Sequence, residues 1–240
     1  MLLRSVGEKL IMTAGDFFID KKTNICDVRT RWINVDKDVE KAKQMQELLD
    51  GLGFNDHERC SAITHIKPHE GVRVGEEHYR NCAESHFKIL NETILTDGKP
   101  VLILEDDVEA DEIMKHNLEI PIPEDADAIY FGTSHGDGNY KAVNLKNGWV
   151  KIEKVFATHA IMHINKEFSQ SVIDIGKKWI YEHNRPFDVG IAYDIQSKFN
   201  VYAPIKPFFY QADSKNGTNK WEHITRTPLK TENKFKLGTI

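Results

Sequence analysis

The sequence predicts a single α/β domain whose first half alternates strands and helices and whose second half is a mixed sheet. Three observations predict it. Residues 28–107 alternate between strand and helix patterns. Beyond Asp107 the pattern changes to short strands and turns. No repeat, low-complexity tract or linker separates the two parts. The 240 residues, 40% of them hydrophobic, suffice for one sizeable core.

The segment VRTRWINVD, residues 28–36, is β-branched and aromatic, as a strand requires. A helix is predicted over 38–52, where Val39, Ala42, Met45, Leu49 and Leu52 recur at spacings of three and four. Asp36 or Asp38 supplies its N-cap and Gly51 or Gly53 its end. A short strand follows at 59–63, then a loop to 75. A long helix over 76–95 has Tyr79, Cys82, Ala83, Ile89, Leu90 and Ile94 on its buried side. The apolar run 101–104 completes a β-α-β-α-β half. In the second half a strand is predicted at 128–132. Asn147-Gly148, between alternating segments over 141–155, marks a hairpin. Strand 159–164 leads through Asn165, an N-cap, into a helix over 166–183, and strands follow near 200–203 and 207–211.

Charged residues make up 29% of the chain and the net charge is −5, which excludes wholesale nucleic-acid coating and disorder. Residues 206–240 depart from that balance, with seven basic side chains against three acidic ones. Such a tail suits either an anionic partner or a solvated end. The three cysteines, Cys26, Cys60 and Cys82, are odd in number and lack CxxC spacing. That speaks against a disulfide framework and a structural zinc site and fits a reducing compartment. The opening MLLRSVGEKLIM has no sustained apolar segment and no run is long enough to span a bilayer, so the expected location is cytoplasmic.

The chemistry is concentrated in VLILEDDVEA, residues 101–110, where a buried strand runs straight into Glu105, Asp106 and Asp107. Like charges this close repel and raise one another's pKa unless a cation lies between them, and a divalent ion with oxygen ligands serves. A metal between these carboxylates and a substrate phosphate is the first expectation. The competing reading is a solvated turn or helix N-terminus. A receiver domain, suggested by Lys206-Pro207, fits poorly, because its acids would close the first strand of the domain and here 100 residues precede them.

Several segments resemble, in order, glycosyltransferase family 25, which includes bacterial lipooligosaccharide galactosyltransferases and collagen galactosyltransferases. WINVD (32–36) resembles the family's opening strand INLD, EKAKQMQELLDGLG (40–53) its following helix, and NCAESHFKIL (81–90) its GCALSH segment. VLILEDDVEA resembles the LILEDD signature, THAIMHINKEFSQSVID (158–174) the HAY strand and helix, RPFDVGI (185–191) the PvD element, and the Gln211 region the terminal strand. The resemblance spans about residues 28–214.

It implies a single-domain, A-type nucleotide-sugar glycosyltransferase fold with a Rossmann-like N-terminal half. Residues 28–107 would form the donor-binding half, 108–214 the acceptor half and 215–240 a basic tail. It also implies a uridine-diphosphate sugar donor, a divalent ion (Mn²⁺ or Mg²⁺) and inversion at the anomeric carbon. On this resemblance Asp107 is a direct metal ligand, Glu105 a further ligand or ribose contact, and Asp106 a donor-site residue. Asn34, Val35 and Asp36 would line the nucleoside pocket, at the strand ends where open α/β sheets bind ligands. Asp188 is the general base that inversion needs, with Asp194 and Asp137 as substitutes. Gln211 or His223 would complete the metal shell, and Arg80 would reach a phosphate. Ser85 and His86 match the family's SH pair, with a structural role. The family's arginine at the helix start is replaced by Lys41 or Lys43, which cannot reproduce a bidentate contact, and its glycine before Cys82 by Asn81. The acceptor is expected to be a carbohydrate or glycolipid. The alternatives are a hydroxymethylated base in viral DNA, served by the basic tail with Trp221 and Phe235, or a non-catalytic domain binding a nucleotide sugar or a protein.

Overall fold

A computed structural model describes residues 22–66, 77–115, 119–134, 139–146, 148–212 and 225–231. Asp137, Asn147, Trp221, His223, Phe235 and most of the basic tail lie outside them.

A short strand, β1 (Lys22–Asn24), precedes β2 (Thr30–Asn34), and α1 (Val39–Leu52) follows. Asp38 caps α1 by accepting from the Lys41 N–H at 3.3 Å, and Gly53 ends it at φ +81°, a conformation glycine adopts without steric cost. Met45 and Leu49 face the core, whereas Val39, expected on the same apolar face, is 73% exposed. Next come β3 (His57–Ser61), two residues earlier than predicted, and α2 (Glu77–Glu92). The long helix expected to run to 95 breaks at Thr93, whose hydroxyl turns back to donate to the Ile89 carbonyl at 2.5 Å, and α3 (Ile94–Asp97) starts anew.

The strand β4 (Val101–Glu105) runs between β2 and the later β10 (Ala160–His163), parallel to the first and antiparallel to the second. Val101, Leu102, Ile103 and Leu104 are all fully buried. Alternate residues point to opposite faces. Val101 and Ile103 meet Phe87 and Leu90 of α2 and Phe168 and Val172 of α4 (Lys166–Tyr181), while Leu102 and Leu104 join the cluster holding Met45 and Leu49 of α1. Each such side chain contributes about 1.5–3 kcal/mol over exposure. A one-residue slip would swap the two faces, so the position of Glu105 at the strand's end is fixed.

Beyond β4 lie β5 (Val108–Ala110), β6 (Glu119–Pro121) and β7 (Ala128–Tyr130). The predicted hairpin is β8 (Lys141–Lys146) and β9 (Trp149–Glu153), with Gly148 at φ +83°. Asn165 caps α4 by accepting from the N–H groups of Glu167 and Phe168 at 2.7 and 3.2 Å. A short helix α5 (Phe187–Gly190), a π-helical turn (Ile191–Ile195), β11 (Val201–Pro204) and β12 (Phe209–Gln211) complete the chain. Both halves build one mixed eight-stranded sheet in the order β3-β2-β4-β10-β7-β11-β9-β8, while β1 pairs β6 and β12 pairs β5. Among the described residues no helix is long and apolar enough to cross a membrane.

Gly132 follows β7, and a Cβ there would lie 2.0 Å from Nε2 of the fully buried His159. Gly132→Ala is therefore expected to destabilise the fold by about 1–3 kcal/mol through overpacking. The urea midpoint measures it, and an unchanged midpoint would contradict the packing described.

Candidate functional site

The three acids at the end of β4 separate, because successive side chains leaving a strand point to opposite sides. Asp106 turns toward β2 and α1. Its Oδ2 accepts from Asn34 Nδ2 at 2.7 Å and its Oδ1 from Lys41 Nζ at 3.1 Å. Burial works to lower the Lys41 pKa, but Asp106 outweighs it and the ammonium titrates above its ordinary value. Asn34 is buried; it also donates to the Asp38 carbonyl at 3.1 Å and accepts from Arg59 Nε at 2.8 Å. Arg59 Nη2 donates in turn to Asp36 Oδ1 at 2.5 Å. Asn34, half-buried Val35 and exposed Asp36 thus form the carboxyl edge of β2, with the Asn34 amide spent on internal hydrogen bonds.

Glu105 and Asp107 turn the other way. Glu105 Oε1 accepts from Thr158 Oγ1 at 2.8 Å, lies 3.1 Å from His86 Nε2 and 4.0 Å from Cys82 Sγ. Burial works to raise the Glu105 pKa, but the hydrogen bond and charge of His86, with Thr158, hold it below the ordinary value. Asp107 Oδ2 accepts from Gln211 Nε2 at 3.2 Å, across the β12–β5 pair, while its buried Oδ1 has no hydrogen-bond partner among the described residues. Burial pushes the Asp107 pKa up to about 7; Glu105 and Asp106 reinforce the rise, and Lys41 and Gln211 oppose it.

Asp188 comes from α5 in the second half. Its Oδ1 accepts from the Val189 N–H at 2.8 Å and its Oδ2 from the Ala157 N–H at 3.3 Å. Burial raises its pKa, with those two N–H groups opposing. Ala157 holds φ +80°, a left-handed conformation that costs a residue with a side chain about 1–2 kcal/mol. Its neighbours fix it there: Phe156 bridges to Ser134, and Thr158 binds Glu105.

Glu105, Asp107 and Asp188 line one cleft of about 460 Å³ together with Tyr79, Cys82 and Gln211. No lysine or arginine is among its described lining residues. Tyr79, expected in the core, is 37% exposed because it faces this cleft. A larger cavity of about 630 Å³, lined by Arg29, Lys99, Pro100, Met162 and Ile164 among others, lies at the opposite end of β2 and β4. Ligands of open α/β sheets bind beyond the carboxyl ends of the strands, which is where the smaller cleft lies. The acids also converge there, so chemistry outranks size.

The other expected residues lie elsewhere. Arg80 is buried on α2 with its guanidinium 5.2 Å from the Tyr181 ring and 3.5 Å from Asn184 Oδ1, and it is not among the residues lining the cleft. Asp194 accepts from Trp179 Nε1 at 2.6 Å. Lys43 is exposed and paired with Glu47 at 3.8 Å. The Ser85 hydroxyl accepts from the Ile63 N–H at 2.8 Å and donates to the Asn81 carbonyl at 2.7 Å, tying the chain after β3 to α2. Lys206 pairs with Asp111 at 2.8 Å. Sequence reasoning missed Thr158 and Ala157, since neither residue type signals a site; Cys82 was read as core, though it precedes His86 by one helical turn.

No protein-family model matches the chain, and no curated protein does. Among solved structures, a glycosyltransferase involved in the glycosylation of the major capsid of PBCV-1 is similar at a TM-score of 0.36 and 12% identity, over 75% of this chain and 92% of that one. At that distance the likeness carries nothing about activity.

Proposed function

We propose that the chain is a metal-dependent inverting glycosyltransferase that moves a sugar from a uridine-diphosphate sugar to a hydroxyl of a carbohydrate or glycolipid. The observation that carries the reading is the convergence of Glu105, Asp107 and Asp188, drawn from both halves of the chain, on one cleft whose described lining has no lysine or arginine. The resemblance of residues 28–214 to glycosyltransferase family 25 supplies the reaction class.

The residues fit a hard divalent ion such as Mn²⁺. Asp107 Oδ1 is buried without a partner among the described residues, Asp107 titrates far above an ordinary carboxylate, and Glu105 lines the same cleft. Asp107 and Glu105 would hold the ion, with Gln211 beside them. Bound there, it would offset the negative charge that gathers on the diphosphate as the glycosidic bond breaks. Glu105, kept ionised by His86 and Thr158, sustains the negative potential that recruits it. Asp106, Asn34 and Lys41 lock the turn so that Asp107 is presented to the cleft, and the edge formed by Asn34, Val35 and Asp36 flanks the nucleoside. Asp188 takes the acceptor's proton; each of its oxygens is engaged by one backbone N–H, which orients the carboxylate and leaves further lone pairs for a hydroxyl.

Slow hydrolysis of a panel of uridine-diphosphate sugars, with and without Mn²⁺, tests this. One donor is expected to be hydrolysed only with the metal. Absence of turnover and of binding for every donor would overturn the reading.

A further inference from the structure

We propose that Cys82, His86 and Glu105 form a second cation site in the cleft, selective for a zinc-class ion and adjoining the oxygen site at Asp107, with Glu105 shared between the two. Cys82 and His86 are four residues apart on α2 and share one helix face, which points at the end of β4. Their ligand atoms and a Glu105 oxygen all lie within 4.8 Å of one another. His86 Nε2 is 3.1 Å and Cys82 Sγ 4.0 Å from Glu105 Oε1. Around a tetrahedral zinc ion the corresponding edges are about 3.4 Å for nitrogen to oxygen and about 3.6 Å for sulfur to oxygen. Both observed spacings come within about 0.4 Å of these, a change that side-chain rotation supplies.

The donor set decides the metal. Thiolate and imidazole favour zinc over manganese or magnesium, which take oxygen ligands. The Asp107 carboxylate offers oxygen, its Oδ2 accepting from Gln211 Nε2, so the cleft holds two sites of different hardness that meet at Glu105. Thr158 Oγ1 donates to Glu105 Oε1 and orients that carboxylate from outside the trio. Cys82 and Glu105 line the cleft whereas His86 is buried, so the fourth position opens to the cleft and takes water or a substrate oxygen. On binding, the sulfur–metal bond forms as the thiol proton leaves to solvent. The alternative is a metal-free hydrogen-bonded cluster that merely steadies Glu105, and direct metal binding separates the two.

Zinc is titrated into the full-length chain against a chromophoric chelator, with Co²⁺ as a spectroscopic reporter. One zinc per chain is expected, and Co²⁺ should give a thiolate-to-metal charge-transfer band in the near ultraviolet. Cys82→Ser should remove the band although Cys26 and Cys60 remain. Cys82→Ser and His86→Gln should each weaken zinc binding by about 100-fold or more, since even the outer partners of metal ligands are worth about 10–100-fold. Asp107→Asn should leave both readouts unchanged. The cobalt band of the unmodified chain needs no variant, so a substitution that fails to fold does not spare the proposal. No thiolate band, or zinc affinity indifferent to Cys82→Ser and His86→Gln, overturns it. The site does not rest on the proposed sugar transfer, because neither readout uses a donor or turnover.

Discussion

Asp107→Ala is expected to reduce metal-dependent donor turnover by about 10³-fold or more, because Lewis-acid stabilisation of a leaving phosphate is worth several kcal/mol. The fold should survive. Asp107 follows β4 in a turn, and among the described residues its side chain makes one hydrogen bond, from Gln211. In the metal-free protein the wild-type carboxylate is a liability rather than a support. Its pKa is raised from 3.8 to about 7, so the folded state binds the proton more tightly than the unfolded chain. Stability from this group is therefore fully present below about pH 4 and is lost as pH rises through about 7, a change on the order of a few kcal/mol. In Asp107→Ala that loss should vanish. Mn²⁺ should raise the thermal midpoint of the wild type and not of the variant. Near-native activity of the variant at saturating Mn²⁺ would remove Asp107 from the metal site.

The sequence disclosed those parts of the fold whose stabilisation is local. The run 101–104 is apolar at every position, so β4 was readable as a central strand, and the Asp38, Gly53 and Asn165 caps are written in residue type. The three-residue strands β1, β5 and β6 were not predicted; they exist through pairing with distant partners and carry too few residues to show a period. The separation of the acidic trio was implicit in strand alternation, but its consequence was not. Nothing near Asp106 in the chain shows that Asn34 and Lys41 would engage it. Arg80 illustrates the same limit. It is one residue from Tyr79, yet the helix turns its guanidinium to Tyr181 and Asn184 while Tyr79 faces the cleft, and only the packing of α2 on α4 decides which face is which. Cysteine spacing gave no sign of a zinc site, because the partners of Cys82 are a histidine one turn along and a glutamate 23 residues away.

Asp188→Asn is expected to lower kcat by about 10²–10⁴-fold, the usual worth of a positioned general base, with donor affinity little changed. The substitution preserves shape and removes basicity. One carboxylate oxygen survives as the amide carbonyl and can keep a backbone N–H, from Val189 or Ala157, while the amide nitrogen cannot accept the second. The direction of the Asp188 pKa suits the role, since burial raises it and makes the carboxylate a stronger base than an exposed one, with the two N–H groups opposing the rise. Its place in the cleft with Glu105 and Asp107, while Asp194 is committed to Trp179, selects it between those two acids. Single-turnover kinetics with donor and acceptor, beside donor binding by calorimetry, separate base catalysis from binding. A variant with undiminished kcat, or one that loses donor affinity in proportion to rate, would mean that Asp188 serves only to hold Ala157 in its left-handed conformation.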